Sequence, residues 1–149
     1  MTDINIDDFF KDAAKTLTTL YSVFPRRHAI FVDDIYQTEE PDEFGLHSER
    51  YQACFGTLLW LGEEGYLRFE DTISNEAIDQ AVLTGRTFTL LSSPADSVTR
   101  HEDINLPDLV RLEHATHIHQ IKSALKDRSS MALRRAMIAL MSRMESQST

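Results

Sequence analysis

Between Asp8 and Phe24 the apolar residues recur at spacings of three and four. Phe9, Phe10, Ala13, Ala14, Leu17, Leu20, Tyr21 and Phe24 lie on one broad face, the pattern of an amphipathic helix. Asp7 is placed to cap it, and Asp8 and Asp12 suit the positive end of its dipole. Pro25 ends it, because the residue before a proline is pushed out of the α region. "HAIFVDDI" (28–35) changes period and predicts a short strand, with "DDIYQ" starting one helical turn. The polar connection "TEEPDEFGLH" (38–47) follows. Ser48 then reads as the N-cap of a helix running to Glu64, with Tyr51, Cys54, Phe55, Leu58, Leu59 and Leu61 as its stripe and Gly65 just past its end.

The stretch from Gly65 to Ser93, "GYLRFEDTISNEAIDQAVLTGRTFTLLSS", admits two readings. Ile78, Ala81 and Val82 at i, i+3 and i+4 fit a helix. Against that, Tyr66, Arg68 and Glu70 alternate with Leu67, Phe69 and Asp71, Ser74 and Asn75 are turn residues, and "DQAVLT" supplies a return strand. The hairpin is the preferred reading. Thr84 then caps a helix through "GRTFTLL", with Phe88 and Leu91 inward. "SSPADS" (92–97) is turn-rich, and "RHEDINLPDL" (100–109) approaches a helix with Pro107 near its first position. A helix from Leu109 to Lys126 carries Leu109, Leu112, Ile118, Ile121 and Leu125. After a break at "KDRSS" (126–130), a last helix carries the narrow stripe Leu133, Met137, Leu140, Met141 and Met144.

The chain has 149 residues, 42% apolar and 26% charged, enough for an ordinary domain with a core of its own. No run approaches the length of a membrane span, and the acidic start "MTDINIDDFF" lacks the features of a secretory signal. A cytoplasmic protein is the expectation. One cysteine, Cys54, rules out an internal disulfide framework and any zinc site of several cysteines.

The formal net charge of −9 is unevenly spread. Residues 1–99 carry 7 Lys+Arg against 18 Asp+Glu, and residues 100–149 carry 8 against 6. Nucleic-acid affinity rests mostly on neutralising phosphates, so this balance counts against non-specific DNA or RNA binding while leaving room for a local basic strip.

Together "LLWLGEEGYLRF" and, a dozen residues on, "AVLTGRTFTLL" resemble the pattern of bacterial winged-helix regulators. In that family a helix ends in a Leu-rich turn and a "GY-aliphatic" step, a two-stranded wing follows, and "LT-x-x-G" opens the next helix. Here Gly85 directly follows the threonine. "IFVDDI" is similar to that fold's short first strand. The resemblance covers about residues 8–93. It implies a mainly α protein with a small β-hairpin: a winged-helix-like domain over 1–97 and a helical C-terminal extension over 98–149. It further implies a non-enzymatic transcription regulator that binds DNA as a dimer, with 48–64 as recognition helix. Arg50 and Gln52 would read base edges, Arg68 and Arg86 would lie near the wing, and the last-helix stripe would pair two copies. The helix that should precede the recognition helix is reduced to "DDIYQ" and a long acidic loop. The alternative is an acidic winged-helix module that binds a protein partner and no DNA.

Other chemistry is sparse. "HATHIH" puts His114 and His117 on one face, but no second cysteine or HExxH motif joins them, so no metal site is expected. The carboxylates Asp33, Asp34, Glu39, Glu40, Asp42 and Glu43 do not have calcium-loop spacing and read as a solvated loop. Cys54 reads as a buried inert thiol. Trp60 lies off its helix's main stripe and reads as packing against the first or last helix, or as a partner contact. No GxSxG, P-loop or GxGxxG is present, so neither an enzyme nor a cofactor is expected.

Overall fold

The first helix, α1, spans Ile4–Val23 and buries Phe10, Ala13, Ala14, Leu17 and Leu20, the face its apolar period marks out. The computed structural model describes residues 3–95 and 107–146. The helix starts one turn earlier than Asp7, which lies in its first turn. The strand β1 (His28–Phe31) and the single turn α2 (Val32–Ile35) follow. Helix α3 (Glu49–Glu63) begins at Ser48, whose hydroxyl accepts from the Tyr51 amide. Gly65 (φ +83°) takes the left-handed conformation that ends such a helix at little steric cost.

The ambiguous stretch is a hairpin. β2 (Leu67–Arg68) and β3 (Asp71–Ile73) pair in turn with β4 (Ala77–Leu83), all antiparallel. Ser74 and Asn75 both have positive φ, and the Glu76 amide closes the turn on the Ile73 carbonyl at 2.8 Å. Such left-handed pairs match the twist of the flanking strands. The helical alternative for 77–83 loses because Ala77, Ile78, Ala81, Val82 and Leu83 are all buried, and β4 is the central strand, flanked by β1 and β2. The protein is thus mainly α with a small antiparallel sheet, an order of elements compatible with a winged-helix-like fold.

Two compact units divide the chain, Met1–Thr84 and Gly85–Thr149. The boundary falls before α4 (Gly85–Ser92) rather than after Ser97, since α4 packs with α6 and α7. In the second unit the expected helix over 109–126 is two helices, α5 (Asp108–His114) and α6 (His117–Lys126). The break has a physical cause. Pro94 and Thr116 form a β-bridge. The Ala95 amide donates to the Ala115 carbonyl (2.7 Å), and the His117 amide to the Ser93 carbonyl (3.0 Å). Backbone engaged in this way is not available to a continuous helix. Thr116 then caps α6 by accepting from the His119 amide.

Arg128, in the left-handed region, breaks the chain where "KDRSS" predicts. Helix α7 (Ser130–Ser146) follows and buries Leu133, Ala136, Met137, Leu140 and Met144. No helix among the described residues is long and apolar enough to cross a membrane. The "RHEDIN" approach and the end of "SSPADS" lie outside the described residues.

Candidate functional site: the outer face of the third helix

Helix α3 has two faces. Tyr51, Cys54, Thr57, Leu58 and Leu61 are buried. Glu49, Gln52, Ala53, Gly56, Trp60 and Glu63 are exposed and recur at three and four residues, so they form one outer strip. The strip contains two carboxylates, an amide, two small residues and an aromatic ring, and neither lysine nor arginine.

The helix's one arginine is engaged elsewhere. Arg50 donates from Nη1 and Nη2 to the two oxygens of Asp12, at 2.7 and 2.8 Å. Its Nε lies 3.2 Å from Asp8, and its guanidinium sits 4.3 Å from the Tyr36 ring centroid. Burial opposes the charge on Arg50, and the Asp12 and Asp8 carboxylates outweigh it, so its pKa rises. This arginine therefore fastens α3 to α1. Gln52, the second base-reading candidate, is exposed and donates from Nε2 to the His47 carbonyl at 2.8 Å.

Beside the strip lies an open cleft of about 420 Å³ between α1 and α3, whose lining includes the apolar Ile4, Phe9 and Ala53, the carboxylates Asp8, Asp12 and Glu49, and the paired Arg50. Trp60 meets Phe9 edge-on at 5.2 Å and stacks on Tyr66 at 5.8 Å. It remains 37% exposed, so it packs on the first helix and also faces solvent.

The acidic connection before α3 is a built loop. Asp42 accepts from the Phe44 and Leu46 amides, both at 2.9 Å. Glu39 accepts from the Ser48 amide (2.9 Å) and hydroxyl (2.6 Å) and faces His47 Nδ1 at 3.1 Å. These Ser48 donors hold the Glu39 carboxyl below its ordinary pKa. The His47 ring stacks on Tyr51 at 3.7 Å, and its Nε2 lies 3.5 Å from Glu76 at the hairpin turn. Where a helix-turn-helix would place its first helix, this loop presents Phe44, 77% exposed, among Glu40, Asp42 and Glu43.

Arg68 is exposed on β2, in a cleft with Gly62, Glu63 and Phe69. The hairpin from Leu67 to Leu83 carries this one cation and four carboxylates, Glu70, Asp71, Glu76 and Asp79. Arg86 belongs to the second unit, where it donates to the Met144 carbonyl. The four basic or polar candidates are thus scattered: Arg50 tied inward, Gln52 on the strip, Arg68 on the hairpin, and Arg86 in the other unit.

The stripe proposed for pairing copies is turned inward. Leu133, Met137, Leu140 and Met144 are buried against the second unit's own helices, and Met141 is half-buried. Sequence periodicity finds the apolar face of α7 correctly but does not say what covers it. Cys54 is fully buried, and burial, followed by the Asp12 carboxylate, pushes its thiol up to about 12. His114 and His119 stack at 4.4 Å, and among the described residues no three potential ligands gather into a metal site. Comparison of the chain with family models, curated proteins and solved structures finds no match among any of them.

Proposed function

We propose that this chain is an acidic protein-interaction module on a winged-helix-like frame, and that the outer face of α3 with the adjoining cleft receives a basic protein segment. One observation carries the reading: the exposed strip of α3 holds Glu49 and Glu63 and no cation, while Arg50 is paired with Asp12 and Asp8. A helix laid in a DNA groove passes between two rows of phosphates, and its affinity rests on neutralising them. This face would instead bring carboxylates toward them. A lysine- or arginine-bearing helix or loop fits its charge, and the Trp60 ring and the cleft offer apolar contact of the kind that anchors protein interfaces.

The acidic balance of the first unit, 6 Lys+Arg against 17 Asp+Glu, supports the same partner chemistry. The test is a pair of titrations at low salt, with fluorescently labelled mixed-sequence duplex DNA and with a labelled lysine/leucine amphipathic helix. The module binds the peptide, and binding weakens with added salt and with Glu49→Arg. Saturable duplex binding with a steep salt slope would instead return the chain to the DNA-binding regulators.

A further inference from the structure

The second unit carries a surface that complements the α3 strip. The inward face of α7 packs in its own core, yet its outward face is not polar throughout. Met131 is 67% exposed and Ile138 47% exposed. Arg134 and Arg135 lie between them on the same side, also exposed. Met131, Arg134, Arg135 and Ile138 follow the helical spacing of three and four, so they form one continuous patch two turns long. The patch thus offers two cations with an apolar side chain on either side of them.

We infer that the partner of the α3 face is a second copy of this chain, which presents the outer face of its α7. This inference rests on the reading of the α3 face as a protein-binding face. Three features of the two surfaces select this occupant. The charges are opposite: Glu49 and Glu63 bracket the α3 strip, and Arg134 and Arg135 occupy the middle of the α7 patch. The unit balances follow the same sense, −11 for residues 1–84 and +2, from 9 Lys+Arg and 7 Asp+Glu, for residues 85–149. Each surface also sets apolar side chains beside its charges, Met131 and Ile138 on α7 and Trp60 with the Ile4–Phe9 cleft at α3. Finally, at Gly56 the α3 surface is open, with nothing within 4 Å of where a Cβ would stand, which lets a partner helix approach closely.

Symmetric alternatives are disfavoured by the same charges. Two α7 patches face to face would oppose arginine to arginine, and two α3 strips would oppose glutamate to glutamate, arrangements that like-charge repulsion disfavours. The contact is therefore between unlike faces, α3 of one copy with α7 of another.

Two surface variants test this. Glu49→Arg/Glu63→Arg alters only the α3 face, and Arg135→Glu/Ile138→Asp only the α7 face. All four positions are exposed, and circular dichroism checks that each variant folds. By sedimentation velocity at low salt the unaltered chain self-associates, and each variant alone is weakened at least about tenfold. Mixed in equal amounts, the two variants associate again, because one retains the intact α3 face and the other the intact α7 face. Association of either variant alone to the unaltered extent overturns the inference, as does a monomeric unaltered chain at the highest concentration. The lysine/leucine helix separates the two claims. If the chain is monomeric while that helix binds it, the self-partner is wrong and the protein-binding face stands. If the chain is monomeric and the helix does not bind, both fall.

Discussion

Arg50 and Asp12 form a two-pronged ion pair across α1 and α3, with N–O distances of 2.7 and 2.8 Å. The Asp12 side chain is 2% exposed and that of Arg50 22%, so the carboxylate has no ready access to water. Removing the arginine leaves that charge buried without its partner. Arg50→Ala is expected to destabilise the fold by roughly 3 kcal/mol, the lower end of the range for breaking a buried pair, since Arg50 is partly exposed. Arg50→Lys keeps the charge and loses the fork, and falls between the two. Urea unfolding followed by circular dichroism measures both. An Arg50→Ala midpoint equal to that of the unaltered chain would assign the arginine to a free surface role.

Cys54 gives the protein an alkaline limit. The unfolded thiol ionises near its ordinary value of 9.0, while burial and the Asp12 carboxylate hold the native thiol to about 12. Above pH 9 the unfolded chain therefore binds fewer protons than the native one, and stability falls as pH rises through that window. Tyr51 acts in the same direction from its ordinary value of 10.0 upward, because burial and its hydrogen bond to Asp33 raise its phenol. Cys54→Ala should flatten the decline between pH 9 and 10. At neutral pH the native thiol should react with a maleimide only as fast as the protein unfolds.

The acidic loop responds to acid in the opposite sense. Glu39 has a depressed pKa because Ser48 donates to its charged form, so the clasp is present above the ordinary carboxylate range and is lost as pH falls through the lowered value. Hydrogen exchange at the Ser48 amide should accelerate on that descent, and Glu39→Gln should show fast exchange already at neutral pH. Glu40 and Glu43 are exposed on the loop, and they are the positions at which its charge can be removed while the Glu39 and Asp42 hydrogen bonds are kept.

Two glycines of α3 separate structure from surface. A Cβ at Gly62 would stand 2.7 Å from the Phe69 ring, whereas one at Gly56 would meet nothing within 4 Å. Gly56→Ala should raise stability by up to about 1 kcal/mol through helix propensity. Gly62→Ala should gain less or lose, because Phe69 has to move. Thermal unfolding of the two variants decides this, and a destabilised Gly56→Ala would show that the position is not open.

The hydrophobic period alone located α1, α3 and α7 to within a turn, because each buries a continuous stripe against its own unit. The hairpin was legible from Ser74 and Asn75, residues that tolerate positive φ, more than from β4, whose burial on both faces hides the alternation. The split between α5 and α6 was not legible. It depends on backbone pairing between Ser93–Ala95 and Ala115–His117, a contact distant in sequence. The same limit applied at the candidate site. Arg50 has the residue type and position of a base-reading side chain, and only its spatial neighbours Asp8 and Asp12 show that it is engaged. The α7 stripe likewise marked the right face and left its covering open, since periodicity does not distinguish a core from an interface. The absence of cations among Glu49, Gln52, Ala53, Gly56, Trp60 and Glu63 could have been read from helical spacing once the buried face was known.

Trp60 is the chain's one tryptophan and stands on the proposed face, so its emission tests the central claim most directly. Parallel titrations at low salt, one with a basic amphipathic helix and one with mixed-sequence duplex DNA, should give a saturable blue shift with the peptide, reversed by salt, and no change with the duplex. A saturable, salt-dependent change with the duplex and none with the peptide would contradict the account.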